Sequence, residues 1–92
     1  MNTSRVPIAL FKLGKIVATP NARSRLQEPE ILNALRRHHA GDWGVLDDHN
    51  RQANDRALAR GGHLLSAYPS LSGSKFWIIT EADRSVTTVL MP

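Results

Sequence analysis

The sequence predicts a single α+β domain over residues 1–92, with an N-terminal strand, two to three short helices and a three-stranded antiparallel meander forming one sheet. Three observations lead to this prediction. The C-terminal third contains three strand-length apolar runs, the middle contains residues that start and stop helices, and the chain has only 92 residues. Because a chain of this length folds around one hydrophobic core, we expect one domain.

The first predicted element is a short strand that follows a loose leader. Residues 1–7 are expected to lack regular structure, because Pro7 has a fixed φ and no backbone N–H. Residues 8–19 have a strand-like pattern, with Gly14 at a bend.

Two helices are predicted next from their capping residues. Thr19 is expected to be an N-cap and Pro20 the first helical residue. Pro29 interrupts this helix and starts a second one, whose apolar residues recur at helical spacing. These residues are Ile31, Leu32 and Leu35. Gly41 is expected to end the second helix.

A third helix is predicted from Asp47, its N-cap, to about Arg60. Its residues for burial are Ala53, Ala57 and Leu58. Because this apolar face is small, the helix should depend on packing against the sheet.

The C-terminal third is predicted to form the meander. The three strand-length runs are residues 63–68, 75–80 and 86–91, and both connections have hairpin length. The segment Phe-Trp-Ile-Ile at 76–79 is apolar on both faces. This pattern predicts a central strand that is covered on both sides.

The composition excludes several classes of protein. The chain has no cysteine, which removes disulfides, zinc–thiolate sites and thiol nucleophiles. No apolar run approaches the ~20 residues of a membrane span, and the N-terminus lacks a signal-peptide layout. Since a secreted domain of this size usually needs disulfides, we expect a cytoplasmic protein without a membrane partner. Nucleotide-binding and hydrolase motifs are absent, so no cofactor is expected.

Positive charge is concentrated in the N-terminal part of the chain. The formal net charge is +4, and residues 1–37 contain seven Lys and Arg residues against two Glu residues. A basic half on a neutral body is suited to phosphate groups or to an acidic protein surface. The alternative is ordinary solvated charge on a pair of short helices.

The histidines do not predict a metal site. The sequence has four, His38, His39, His49 and His63. A set made of His39 and Asp42 with Asp47 or His49 is geometrically feasible, but its spacing matches no established ligand pattern. Histidines at the end of a helix are favoured by the helix dipole, which is the simpler interpretation.

The segment Gly-Asp-Trp-Gly at 41–44 is the predicted centre of a binding surface. A large aromatic residue on a loop either fills the core or anchors a partner, and Trp is common among interface hot spots. Arginines on the preceding helices would extend that surface. The residues expected to bind a partner are Asp42, Trp43, Arg23, Arg25, Arg36 and Arg37.

Two catalytic alternatives remain open. The turn at 80–85 combines two carboxylates with an arginine, although a solvated turn with side chains bonded to the backbone is the expected structure. A metal-independent ribonuclease toxin would instead use basic and hydroxyl residues on the sheet, with His63 as acid or base. That set is Arg60, His63, Ser66, Tyr68, Lys75 and Thr88.

Several segments resemble a family of small uncharacterised bacterial, plasmid and phage proteins. The resemblance covers residues 11–92 and includes Leu-Gly-Lys-Ile-Val-Ala-Thr-Pro at 13–20, His-Ala-Gly-Asp-Trp-Gly at 39–44 and Leu-Leu-Ser-Ala-Tyr at 64–68. The C-terminal signature is Trp-Ile-Ile-Thr-Glu-Ala-Asp-Arg-Ser at 77–85, followed by two threonines. The resemblance implies a mobile-element setting and no established reaction.

Taken together, these observations predict a non-enzymatic binding module that acts on a protein or nucleoprotein partner. Small phage and plasmid proteins often inhibit host defence, as anti-CRISPR and anti-restriction proteins do, and this analogy rests on context alone. The alternatives are the ribonuclease and a nucleic-acid-binding regulator. An exposed sheet edge would also allow a homodimer.

Overall fold

The structure is a computed structural model that describes residues 9–92, so the expected leader over 1–7 lies outside the described residues. One strand, three consecutive helices and three further strands form an α+β fold, which confirms the predicted class. In chain order the elements are β1 (Lys15–Ala18), α1 (Pro20–Arg25), α2 (Glu28–His39), α3 (Asp48–Arg60), β2 (Leu64–Pro69), β3 (Lys75–Thr80) and β4 (Val86–Leu90).

The sheet has four strands in the order β1-β4-β3-β2. Strands β2, β3 and β4 form the predicted antiparallel meander. The prediction that these three strands make up the sheet was wrong, because β1 joins it parallel to β4, with Lys15 opposite Val86. The sheet is therefore mixed. Parallel pairing of two strands so distant in the chain leaves no local sequence signal.

Gly14 allows β1 to enter the sheet beside the turn that precedes β4. Its φ is +66°, and a Cβ at this position would collide with the backbone of Ser85. The N–H of Lys15 donates to the Ser85 carbonyl at 2.9 Å. Only glycine combines this conformation with so close an approach.

The helices begin close to the predicted positions. The side chains of Thr19 and Asp47 each accept a hydrogen bond from the backbone N–H three residues further on. Helix α2 instead has Gln27 as its N-cap, and the Glu30 carboxylate accepts from the Gln27 N–H at 2.8 Å. None of the helices formed by residues 9–92 is both long and apolar enough to cross a lipid bilayer.

Two hydrophobic clusters form the core on one side of the sheet. The larger one joins α1 and α2 to the meander and contains Ala22, Leu26, Ala34, Leu35, Tyr68, Phe76, Ile78, Val89 and Met91. The smaller one joins the loop before α3 to that helix and to β2, and contains Trp43, Ala57 and Leu64. Helix α3 therefore depends on tertiary contacts for its few apolar residues, as predicted.

The opposite side of the sheet is not covered by a helix within residues 9–92. Its side chains are in neither hydrophobic cluster, and apart from Ala67, which is 2% exposed, they are at least partly exposed. We define the open face by Val17 of β1, Leu65 of β2, Trp77 and Ile79 of β3, and Thr88 and Leu90 of β4, which share rows in the strand register. The prediction that β3 is covered on both sides was therefore wrong, although β3 is a central strand.

The outer edge of β2 is closed by side-chain and loop contacts. The Asn54 amide donates to the Leu65 carbonyl at 2.7 Å and accepts from the Leu65 N–H at 3.0 Å. Two residues further on, Ala67 exchanges backbone hydrogen bonds with Trp43 and Val45. These contacts satisfy the groups that would otherwise let a foreign strand pair with this edge.

Candidate functional site

The loop at 41–44 is tied to the end of α2 by an ion pair. Arg37 Nε donates to Asp42 Oδ2 at 2.8 Å, and Nη2 donates to Oδ1 at 3.3 Å. The Gly44 N–H also donates to Asp42 Oδ1. The bond to Arg37 lowers the pKa of Asp42 and raises the pKa of Arg37. Asp42 thus holds the loop closed.

Tyr68 of β2 supports the same loop from inside the core. Its hydroxyl donates to the Asp42 carbonyl at 2.6 Å, and the Arg37 guanidinium lies 4.7 Å from the centre of its ring. Burial raises the pKa of Tyr68 to about 12, so the hydroxyl stays protonated and remains a donor. Arg37, Asp42 and Tyr68 therefore act together to position the loop.

Trp43 lies in the core rather than on the surface. Only 5% of it is exposed, and its ring stacks on Phe11 with 6.1 Å between the ring centres. An edge contact with His38 completes its surroundings. A buried indole offers almost no surface to a partner, so Trp43 contributes to the site only by supporting the loop backbone.

The remaining arginines of the predicted surface lie on the outer side of the two helices that cover the sheet. Arg23 and Arg36 are exposed, and Arg25 is exposed with one nitrogen 3.5 Å from the Pro92 carbonyl oxygen. Arg36 and Arg37 share a shallow hollow of about 190 Å³ with Asp42. Neither arginine of α1 lines this hollow, so the structure brings Arg36, Arg37 and Asp42 together there without Arg23 and Arg25.

A buried row of polar side chains crosses the helix-covered face of the sheet. His38 Nδ1 lies 2.5 Å from Ser66 Oγ, and His38 Nε2 lies 2.9 Å from Thr80 Oγ1. Thr80 Oγ1 is 2.7 Å from Thr87 Oγ1, which in turn donates to the Leu13 carbonyl at 2.6 Å. All four side chains are fully buried. The row links α2 to three strands and to the segment before β1.

The proton positions in this row follow from its last acceptor. A carbonyl only accepts, so Thr87 must donate to Leu13 and accept from Thr80. Thr80 then accepts from His38 Nε2–H. Burial keeps the ring neutral, so this is its one N–H proton, and Nδ1 accepts from the Ser66 hydroxyl. Burial, followed by the charges of His39 and Arg84, lowers the pKa of His38 to about 4.

The serine–histidine pair within this row has the geometry of an activated nucleophile, but it lacks access. Ser66 donates to an unprotonated imidazole nitrogen, which is the arrangement a nucleophile requires. However, Ser66 and His38 are 0% exposed, and neither lines a cavity among residues 9–92. The row joins parts of the core and does not reach a substrate.

The residues of the ribonuclease alternative are divided between the two sides of the sheet. Ser66 and Tyr68 point into the helix-covered core. Lys75 and Thr88 occupy the alternate positions of their strands, so their side chains lie on the open face. The predicted catalytic set is therefore not assembled, because alternate strand residues face opposite sides.

The turn at 80–85 is held by local hydrogen bonds, as the sequence predicted. Asp83 Oδ1 accepts from the Ser85 N–H at 3.0 Å and from its hydroxyl, and these bonds lower the pKa of Asp83. Arg84 has a φ of +63°, and its guanidinium donates to four backbone carbonyls in the turn and at the end of α3. Arg84 fastens the turn to α3, so its side chain is not free for catalysis.

Sequence reasoning missed the buried row and the open face. The row had a signal, because Ser66, Thr80 and Thr87 occupy the same strand phase as the buried Ile78 and Val89. The open face had none, since its residues are as apolar as the core. Within residues 9–92, no three of the His, Asp and Glu side chains are grouped to hold a metal ion.

Comparisons with known proteins leave the family of this chain open. No family model, no curated protein and no solved structure matches the sequence or the fold.

Proposed function

We propose that this protein is a non-enzymatic binding module that contacts an acidic surface of a protein or nucleoprotein partner through the exposed arginines of α1 and α2. The proposal rests on the exposure of these side chains and on their lack of ion-pair partners in the part of the chain that the structure describes. Arg23 and Arg36 are exposed on the helix layer, and within residues 9–92 the only ion pair is the one between Arg37 and Asp42. Exposed and unpaired guanidinium groups are suited to carboxylates and phosphates.

The positions of the two candidate catalytic sets add support. The serine–histidine pair is sealed in the core, and the carboxylates at 80–85 lie in a solvated turn. A binding role requires no reactive group, only the exposed arginines of α1 and α2. The resemblance to plasmid and phage proteins favours a host-defence complex, of the anti-CRISPR or anti-restriction type, as the partner.

The test replaces the arginines that have no structural task. Arg23→Glu/Arg36→Glu reverses two exposed charges, whereas Arg37→Glu would also release Asp42 and disturb the loop. The matched control is Arg60→Glu, an exposed arginine at the end of α3. Each variant is used to capture partners from a lysate of the source cells, with and without nuclease, and the captured proteins are quantified by mass spectrometry.

We expect capture of a defined partner by the wild type and by Arg60→Glu, and a loss of at least about tenfold for Arg23→Glu/Arg36→Glu, because each desolvated charge pair contributes one or more kcal/mol. Nuclease sensitivity distinguishes a nucleoprotein from a protein partner. Unchanged capture by the double variant would contradict the arginine surface.

A further inference from the structure

The open face of the sheet and the groove beside it have the features of a surface for unpaired bases. Trp77 lies at the centre of this face, in one row with Ala67 and Leu90. Ala67 is buried and has only a methyl group, whereas Trp77 is partly exposed. A large aromatic ring on an uncovered sheet is a stacking platform for bases, since every base has a π-face.

Charge at the Lys75 end of the open face is positive, whereas at the opposite end Glu81 lies in the row of Val86 and Lys15. Lys75 precedes Trp77 by two residues on the same face, and Lys15 lies on that face at the other end of the sheet. Both lysines are exposed, and the four strands contain no Asp or Glu residue. The Lys75 ammonium group beside the apolar centre of the face complements a phosphate backbone that runs past stacked bases.

A groove between α3 and β2 extends the open face at Leu65. It has a volume of about 440 Å³, and no carboxylate is among its lining residues. Arg56 and His63 are exposed at its border, and Asn50 provides an amide. The groove therefore adds a cation and a hydrogen-bonding group next to the apolar centre of the face.

The size of the face favours a small ligand over a second copy of the chain. Four strands with about five residues each give a footprint on the order of 300 Å². A stable protein interface buries about 800 Å² on each partner. A few nucleotides need far less area, and flat stacking requires that their bases be unpaired.

From these observations we infer that the open face binds single-stranded nucleic acid, with a base stacked on Trp77 and the backbone held by Lys75 and Arg56. This face lies on the opposite side of the sheet from α1 and α2. The inference is therefore independent of the proposed arginine surface.

The test measures binding of labelled oligo(dT) and oligo(U) of equal length by fluorescence anisotropy, over a range of salt concentrations. Trp77→Ala should weaken binding by about tenfold or more, because stacking on an aromatic side chain contributes ~1–3 kcal/mol per base. Lys75→Glu/Arg56→Glu should flatten the dependence of log K on log salt by about 0.7 for each phosphate that the variant no longer neutralises. Both residues of this second variant are exposed, so it does not threaten folding.

Tryptophan fluorescence gives a direct readout, because the chain has only two tryptophans. Oligonucleotide should quench the wild type, and Trp77→Phe should abolish the quenching while Trp43 remains in the core. Arg36→Glu, on the other side of the sheet, is the matched control and should bind oligonucleotide normally.

Four results would overturn the inference. The first two are the absence of oligonucleotide binding at low salt, and the same affinity for the wild type, Trp77→Ala and Lys75→Glu/Arg56→Glu. The third is tighter binding of a duplex of the same sequence. The fourth is a dimer that Trp77→Ala converts to a monomer in sedimentation experiments. The last result would make a second copy the occupant of the face.

Discussion

Ile78 and Ile79 are neighbours in β3, yet Ile78 is fully buried under the helices and Ile79 is partly exposed on the open face. The same contrast holds for Thr87 and Thr88 in β4. Both faces contain apolar and hydroxyl side chains. What distinguishes them is the helix layer, because only one face is packed against α1 and α2.

The two faces therefore use similar residues for different purposes. On the helix-covered face, the hydroxyls of Thr80 and Thr87 are acceptable in the core because each has a hydrogen-bond partner. On the open face, apolar side chains without cover are available to a ligand. Exposed apolar surface of this kind on a small domain indicates binding more often than it indicates a packing defect.

The largest expected difference between the faces comes from the two isoleucines. Ile78→Ala should lower the free energy of unfolding by about 4 kcal/mol, since it opens a cavity in the closed core. Ile79→Ala should cost about 1 kcal/mol, because its neighbours and the solvent fill the space. Urea denaturation monitored by circular dichroism measures both values.

The milder pair Ile78→Val and Ile79→Val should show the same order, and it remains usable if Ile78→Ala does not fold. Equal losses for the two positions would show that the open face is covered in solution, which would contradict the comparison.

Acid should affect the helix-covered face through His38. The pKa of His38 is about 4 in the folded chain and about 6.5 in the unfolded chain. Between these pH values only the unfolded chain binds the proton, so the free energy of unfolding should fall by about 3 kcal/mol as the pH decreases from 6.5 to 4. Above pH 6.5 the imidazole is neutral in both states and has no effect on the pH dependence.

His38→Gln is the matched variant for this prediction. Glutamine retains a donor and an acceptor for Thr80 and Ser66 but does not titrate. The lowered pKa of Asp42 also makes the free energy of unfolding fall with acid, but only at pH values below about 3.8, the ordinary pKa of an aspartate. Urea midpoints measured across the pH range should therefore be flatter for His38→Gln, and an unchanged slope would rule out a neutral buried His38.

The smallest effect should come from the threonine pair. Thr87→Val leaves the Leu13 carbonyl without a donor and the Thr80 O–H without an acceptor, which should cost about 1–2 kcal/mol. Thr88→Val, on the open face, should be neutral or slightly stabilising, because valine is at least as favourable as threonine in a strand. Thermal unfolding of both variants sharpens the comparison, and similar losses would count against a buried hydroxyl row.

The helix starts and the meander could be predicted because their causes are local. Thr19 and Asp47 cap helices through their own nearest backbone groups, and hairpin-length connections bring β2, β3 and β4 together in order. The position of β1 could not be predicted in the same way. Its partner β4 is at the far end of the chain, and parallel pairing over that distance depends on everything folded between them.

Among the candidate site residues, local sequence is a better guide to the exposure of charged side chains than to that of aromatic ones. Arg23 and Arg36 lie on the surface, as amphipathic helices require. Trp43, for which the sequence left core and surface open, fills the core, whereas Trp77, predicted to be covered on both sides of β3, is partly exposed. An aromatic side chain is stable in either environment, and the packing of its neighbours decides between them.

The sequence by itself determined the class of fold, the helix boundaries near their caps, the meander and the basic N-terminal half. Propensity, periodicity and charge are properties of neighbouring residues, so they are present in the chain before it folds. Only the tertiary structure decided which side of the sheet the helices cover, and with it that His38 is sealed and Trp77 is open. Both sides of the sheet have apolar residues at alternate strand positions. Which side the helices cover is therefore decided only when the whole chain packs.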